Sequence, residues 1–336
     1  MAKSTGFQTN RNSKVTIGTE VTVGTATAAS GGTTIEMPVT EFSFSEKDKH
    51  SLGVAPFRSG LGGGAQSDDM VKWQRHDRMY EVSMTFQGSA KAINRICLAL
   101  YGDGDGTNVL LGNMPSDVQS HIKDGVANIT PVTLHFENGA HAGLGTDIHF
   151  ISCVCTGLTL SGDIGANGGM VMGTATFVTG YEPVESSLAF SGGTHTLLAS
   201  HTSFFNMHDM TTAQTLDSED LVLFSFELNI SRAVNRIGFD QGNSFKPMGY
   251  SVGGYEVTGS LTCKRDSESA SAIDNPAGMA LDLDTGVFQI TAPKVFVDET
   301  SINFDDDGWK SVIPFRCTYD GADATSNPVV TIATTA

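Results

Sequence analysis

The strongest constraint in this chain is a period of two. Glu41-Phe-Ser-Phe-Ser45 and Tyr80-Glu-Val-Ser-Met-Thr-Phe86 alternate apolar and polar side chains, as half-buried strands do. Further strands are expected at Val132–Phe136, 148–159 and 170–179, and in the second half at Leu223–Ile230, Tyr255–Leu261, 288–292, 294–304, 311–319 and Val329–Ile332. Ser89 to Tyr101 breaks the pattern. There Ala90, Ile93, Ile96, Cys97 and Leu100 fall on one helical face, and Gly102 is placed to end the helix. A second short helix fits within 266–283.

The strands recur in order. Phe42-Ser-Phe44 is matched with Phe224-Ser-Phe226, and Tyr80-Glu-Val82 with Tyr255-Glu-Val257. The hairpin from Cys155 to Gly180 is matched with that from Val295 to Gly321. A repeated order along one chain points to a duplicated unit. The expected organisation is an N-terminal arm over 1–34, a first domain over 35–186 with an insertion around 102–145, and a second domain over 187–336. Two long segments, Lys47 to Arg78 (with Gly60-Leu-Gly-Gly-Gly64) and Ser231 to Gly249, are read as functional loops.

Composition narrows the function. Only 17% of the 336 residues are charged, the net charge is −17 and the pI is about 4.7. The first 186 residues carry −6 and the remainder −11. A protein that grips nucleic acid neutralises phosphates with clustered Lys and Arg, so this one cannot do so globally. The five cysteines show no disulfide spacing and are read as buried thiols. The first residues lack the apolar run of a signal peptide, and no window approaches a membrane span, so assembly in a cytoplasm is expected.

Catalytic patterns fall away on inspection. Gly60 to Gly64 is not followed by Gly-Lys-Ser/Thr, so it is no phosphate-binding loop. Cys153-Val-Cys155 has no second pair to complete a zinc site. His135-Phe-Glu137 lacks the Pro-Cys-x-x-Cys of zinc deaminases, and Ser120-His-Ile-Lys123 lacks its companion motifs. The runs Asp305-Asp-Asp307 and Asp103-Gly-Asp105 suit tight turns better than calcium loops. No enzyme activity, metal or cofactor is expected.

The strand, long segment, returning strand, short helix and final hairpin, taken twice, resemble the tail-tube family of siphophages. The ending Ile313-Pro-Phe-Arg-Cys-Thr-Tyr-Asp-Gly321 is similar to that family's C-terminal strand and turn. The resemblance implies a mainly β fold with short helices: two tandem β-sandwich or barrel domains whose strands join a closed intersubunit β-barrel. It implies a virion tail structural protein that stacks in rings, trimeric and pseudo-hexameric where the domain is doubled. Double-stranded DNA would pass through without specific binding. The implied partners are further copies of the chain, a tape measure protein in the lumen, and tail terminator and distal tail or baseplate proteins. A baseplate hub, a capsid decoration protein and a carbohydrate-binding β-sandwich are the alternatives.

Lys72-Trp-Gln-Arg75-His-Asp-Arg78 is a basic, Trp-bearing patch in an acidic chain, the composition that anchors interfaces. Lys72, Trp73, Arg75 and Arg78, with Phe57, Arg232, Arg236 and Phe245 from the two long segments, form the candidate ring interface. Replacing Arg75 and Arg78 by Glu is expected to block polymerisation, seen as loss of filaments by electron microscopy.

Overall fold

A computed structural model describes residues 13–20, 24–26, 34–54, 71–101, 109–111, 131–137, 147–185, 199, 201, 204–210, 214–237, 249–273, 278–285, 288–305, 308–318 and 329–334. Of these, 46–54, 71–78, 101, 109–111, 236–237, 272, 288, 305 and 333–334 are described by backbone alone. The chain is mainly β; among the described residues every strand pairing is antiparallel and the helices are few and short. Among the described residues no helix is long and apolar enough to cross a membrane.

One run of strands organises the fold. β3 (Val39–Val54), β4 (Val71–Gln87), β8 (Met172–Thr179) and β7 (Ile148–Asp163) pair in that spatial order. β12 (Leu223–Ile237), β13 (Gly249–Lys264), β17 (Gly308–Cys317) and β16 (Ser301–Asp305) pair likewise. The end of β7 then pairs with β12, so the eight strands form one continuous sheet.

A second tier repeats the same connections. β2 (Thr34–Met37), β1 (Lys14–Thr19) and β6 (Val132–Glu137) pair in sequence and join the first half of β7. β11 (Glu219–Leu221), β10 (Gln214–Leu216) and β14 (Met279–Asp284) do the same onto β15 (Phe288–Val297), whose far end pairs with β17. β9 (Val184–Glu185) flanks β7. β18 (Thr331–Thr334) bridges β15 to β5 (Val109–Leu111).

Helix α1 (Ala90–Tyr101) packs against β7 with Ile93, Ile96, Cys97 and Leu100 buried, on the face that periodicity indicates. Ser89 caps it, its hydroxyl accepting from the Ala92 N–H, and His201 Nδ1 lies 2.7 Å from that hydroxyl. Helix α2 (Ser267–Ala272) opens with a capping box between Asp266 and Ser269.

Register shows how the two halves correspond. Val82 faces Phe177 and Thr258 faces Arg316, so matching Val82 to Val257 matches Phe177 to Cys317. Cys155, opposite Phe177, then matches Val295, opposite Cys317, as the sequence comparison has it. For the first strand the structure corrects the match. Phe44 faces Val82 and Ile230 faces Val257, so Glu41-Phe-Ser-Phe-Ser45 corresponds to Glu227-Leu-Asn-Ile-Ser231, not to the segment around Phe224.

Core packing respects this correspondence while exchanging sizes. In the first half Phe86 faces Gly173, where a Cβ would lie 2.4 Å from the Phe86 ring. The corresponding pair is Leu261–Ile313. One row away, Met84–Ala175 corresponds to Gly259–Phe315, where a Cβ on Gly259 would lie 2.4 Å from the Phe315 ring. Each row holds one large and one small partner or two of middle size, which keeps the interior filled.

Four further expectations change. Residues 14–19 of the supposed arm are β1, with Val15 and Ile17 buried and both edges paired. Within Lys47 to Arg78 the described residues, to Val54 and from Val71, are paired strand of β3 and β4, and Ser231 to Gly249 is strand as far as Ile237 and again from Gly249. Backbone pairing runs through these polar extensions, which apolar alternation does not reveal. The supposed insertion at 102–145 contains β6, the counterpart of β14. The terminal strand lies two residues later than expected, at Thr331–Thr334. Gly60 to Gly64 and the boundary at 186/187 lie outside the described residues.

β7 turns from one tier to the other at Ser152, whose φ of 50° is a left-handed conformation. Buried Glu20 holds this corner: its carboxylate accepts from the Ser152 N–H (2.7 Å), the Ser152 hydroxyl (2.6 Å) and the Thr133 hydroxyl (2.6 Å). Burial raises the Glu20 pKa despite these bonds. Nearby on β6, burial lowers His135 to about 4, against the pull of Asp147 at 3.9 Å. Between pH 6.5 and 4 the unfolded chain therefore binds a proton that the folded chain does not. This contribution to stability is complete above pH 6.5 and is lost as pH falls toward 4. His135→Gln is expected to reduce the stability difference between pH 7.5 and 4.5 by on the order of 2–3 kcal/mol in denaturant titrations.

Candidate functional site

The eight-strand sheet has two unlike faces. One is apolar: Phe42, Met84, Ala175, Leu158, Ile230 and Val257 lie opposite one another strand by strand and point into the core. The other is a polar row in the same register: Glu41, Thr85, Thr174, Thr159, Asn229, Thr258 and Arg316. A parallel row runs Gln87, Met172, Ser161, Glu227, Ser260 and Pro314. Directly opposed side chains in antiparallel strands lie on one face, so these rows define a continuous surface of short polar groups.

Hydroxyls partner one another across it. Thr85 and Thr174 are 3.2 Å apart, Thr156 and Thr176 are 3.0 Å apart, and the Thr159 hydroxyl donates to Asn229 Oδ1 at 3.3 Å. Carboxylates are spread over both halves at Glu41, Glu81, Asp163, Glu227 and Glu256. The cations described on this face, Lys264, Lys310 and Arg316, all lie in the second half. Arg316 Nε donates to Asp298 Oδ2 at 3.3 Å.

The sheet ends in two open edges. Among the described residues β3 pairs only with β4, and β16 only with β17. Both edges expose apolar side chains: Phe44 is 50% exposed on β3 and Ile302 51% on β16. Phe304 and Trp309, an edge-on aromatic pair with centroids 5.5 Å apart, project from the β16–β17 hairpin. Exposed edge strands with apolar side chains are templates for pairing with another chain.

Arg232 locks the junction between the halves. Its Nε donates to the Cys155 carbonyl (2.9 Å), Nη1 to the Tyr255 hydroxyl (2.9 Å) and Nη2 to the Ala99 carbonyl (3.4 Å). The Tyr255 hydroxyl in turn donates to the Leu100 carbonyl at 2.6 Å, so the C-terminal end of α1 is tied to the second half. Tyr250 adds a further link, its hydroxyl accepting from the Gly180 N–H at 2.9 Å, and burial raises its pKa to about 12.

The sequence-derived interface residues are therefore dispersed. Arg232 is buried inside the chain at the junction. Lys72, Trp73, Arg75 and Arg78 lie on β4, opposite Gly53, Leu52, His50 and Asp48, and Arg236 lies on β12 opposite Tyr250. Phe57 and Phe245 lie outside the described residues. The polar face and the open edges were not singled out from sequence. The signal for them was the match of Glu41 and Ser45 with Glu227 and Ser231.

All five cysteines are free and buried, and burial raises each thiol: Cys263 to about 11, Cys155 and Cys317 to about 12, Cys97 and Cys153 well above their ordinary value. Such thiols are poor nucleophiles. No group of three or more His, Cys, Asp or Glu side chains among the described residues could hold a metal ion. The Ser89–His201 pair is buried on both sides and serves the helix cap.

No family model matches the chain, and no curated protein matches it.

Arg232→Ala would leave two buried carbonyls and the partly buried Tyr255 hydroxyl without this donor. A loss of about 3 kcal/mol in denaturant-induced unfolding is expected, with Arg232→Lys intermediate because it cannot span all three acceptors.

Proposed function

We propose that this chain is a structural tail-tube protein that assembles as stacked rings into a hollow tube conducting DNA. The observation that carries the reading is the eight-strand sheet: two equivalent four-strand blocks joined edge to edge, apolar on one face, polar on the other, and open at both ends. Three such chains would place about two dozen strands in a closed wall. Barrels of about 16–18 strands already enclose an aqueous channel, so a wall of that size has an open lumen. A ring of three such chains would have pseudo-sixfold symmetry, because each chain contributes two equivalent blocks.

The polar face suits a channel lining. Short hydroxyls bonded to one another offer few long cationic side chains to grip phosphates, and the carboxylates repel them. DNA then meets a wall that does not hold it. The apolar face, already covered by α1 and the second tier, would lie outward. The long hairpins β3–β4 and β12–β13 extend beyond this body and would reach the next ring.

Negative-stain electron microscopy of the purified protein tests the reading. Rings or tubes of uniform diameter are expected. A chain that stays monomeric at high concentration, under conditions that favour burial such as added sulfate, would rule it out.

A further inference from the structure

The chain contains one finished version of a contact that its two ends leave open. At the internal junction β7 pairs with β12: Gly162 faces Phe226, Ser161 faces Glu227, and Leu158 faces Ile230. Register identifies the residues that correspond to each side. On the β12 side, Glu227 and Ile230 correspond to Glu41 and Phe44 of β3, because Ile230 faces Val257 as Phe44 faces Val82. Phe226, opposite Leu261, corresponds to Val39, opposite Phe86. On the β7 side, Ser161 faces Met172 and Ser301 faces Val312, positions that correspond through Phe177 and Cys317, so Ser161 and Gly162 correspond to Ser301 and Ile302 of β16.

We infer that β16 of one copy pairs antiparallel with β3 of a second copy in the register of the internal β7–β12 junction, with Ser301 opposite Glu41 and Ile302 opposite Val39. The inference rests on the ring assembly proposed above and specifies its contact.

Burial supports it. Ile230 and Leu228, covered at the internal junction, are 0% and 1% exposed. Their counterparts Phe44 and Phe42 are half-exposed and partly buried on the open edge. Ile302, half-exposed, would meet the apolar Val39, as Phe226 meets the smallest residue, Gly162. Polar positions also agree. Glu41 and Ser301 would repeat the Glu227–Ser161 pair on the polar face, so the rows described above would continue from chain to chain without a break. An open edge at each end of a chain, each fitting the other, generates a closed ring or an open helix of identical copies and does not stop at a dimer.

Cysteine pairing tests the register. Glu41→Cys and Ser301→Cys are prepared as separate variants, both at exposed positions, and mixed before assembly. The five native thiols are buried and serve as an unreactive background. On mild oxidation the mixture is expected to give a disulfide-linked dimer, and the double variant a ladder of linked copies, both reversed by reductant. Glu81→Cys, one strand in from the edge, is expected to give no linkage with Ser301→Cys. Rings or tubes that form normally without Glu41–Ser301 linkage would overturn this pairing while leaving the tube reading standing. Failure of the unmodified chain to self-associate at all would remove both.

Discussion

Pairing of β7 with β12 is the contact on which the rest of the molecule depends. Each half without it would be a four-strand sheet with two bare edges, and an unpaired buried backbone group costs about as much as a lost hydrogen bond. With it, the polar rows cross the whole chain in a single register. The arrangement is fixed from both sides. Arg232 and Tyr255 grip the carbonyls at the end of α1, and Glu20 holds the bend at Ser152 that lets one strand serve two tiers. A displaced corner would slip the register of β7 and turn its apolar set toward the polar side.

The unusual composition follows from the two-faced sheet. One side holds apolar side chains of matched volume; the other holds Ser, Thr and Asn interspersed with charged side chains such as Glu41, Glu227 and Arg316. A chain with 17% charged residues accords with a sheet that has one apolar face and many hydroxyls on the other. Net charge is a separate matter. Among the described residues of the polar face, carboxylates occur in both halves and the cations Lys264, Lys310 and Arg316 lie on β13 and β17.

What could be read beforehand was what local pattern encodes. The alternating strands around Phe42, Tyr80 and Tyr255, the helix from Ala90 and the recurrence of order were all visible, because period and spacing are properties of neighbouring residues. Register was not, since it depends on which residues face each other across a sheet. The Phe-x-Phe pairs were aligned by likeness, whereas the partners Val82 and Val257 place Phe44 with Ile230. β1 was hidden by its brevity and Thr-rich context, and the long hairpins by their polar sequences, whose pairing needs only backbone. Arg232 was visible as a basic residue in an acidic chain, but its burial between the halves follows from a junction that no local pattern announces. The polar face and its edges were illegible for the same reason.

The exchange of bulk between the two interiors carries a consequence for how such a chain can change. In one half the phenylalanine sits at Phe86 and the vacancy at Gly173; in the other they sit at Phe315 and Gly259, one row over. Neither glycine can be replaced while its aromatic partner remains, and neither aromatic can be trimmed without opening a void. Pairing β4 with β17 would set Met84 against Phe315 and Phe86 against Ile313 and overfill both rows. Pairing β13 with β8 would set Gly259 against Ala175 and Leu261 against Gly173 and leave both underfilled. The two halves therefore cannot exchange strands without also exchanging the residues that face them.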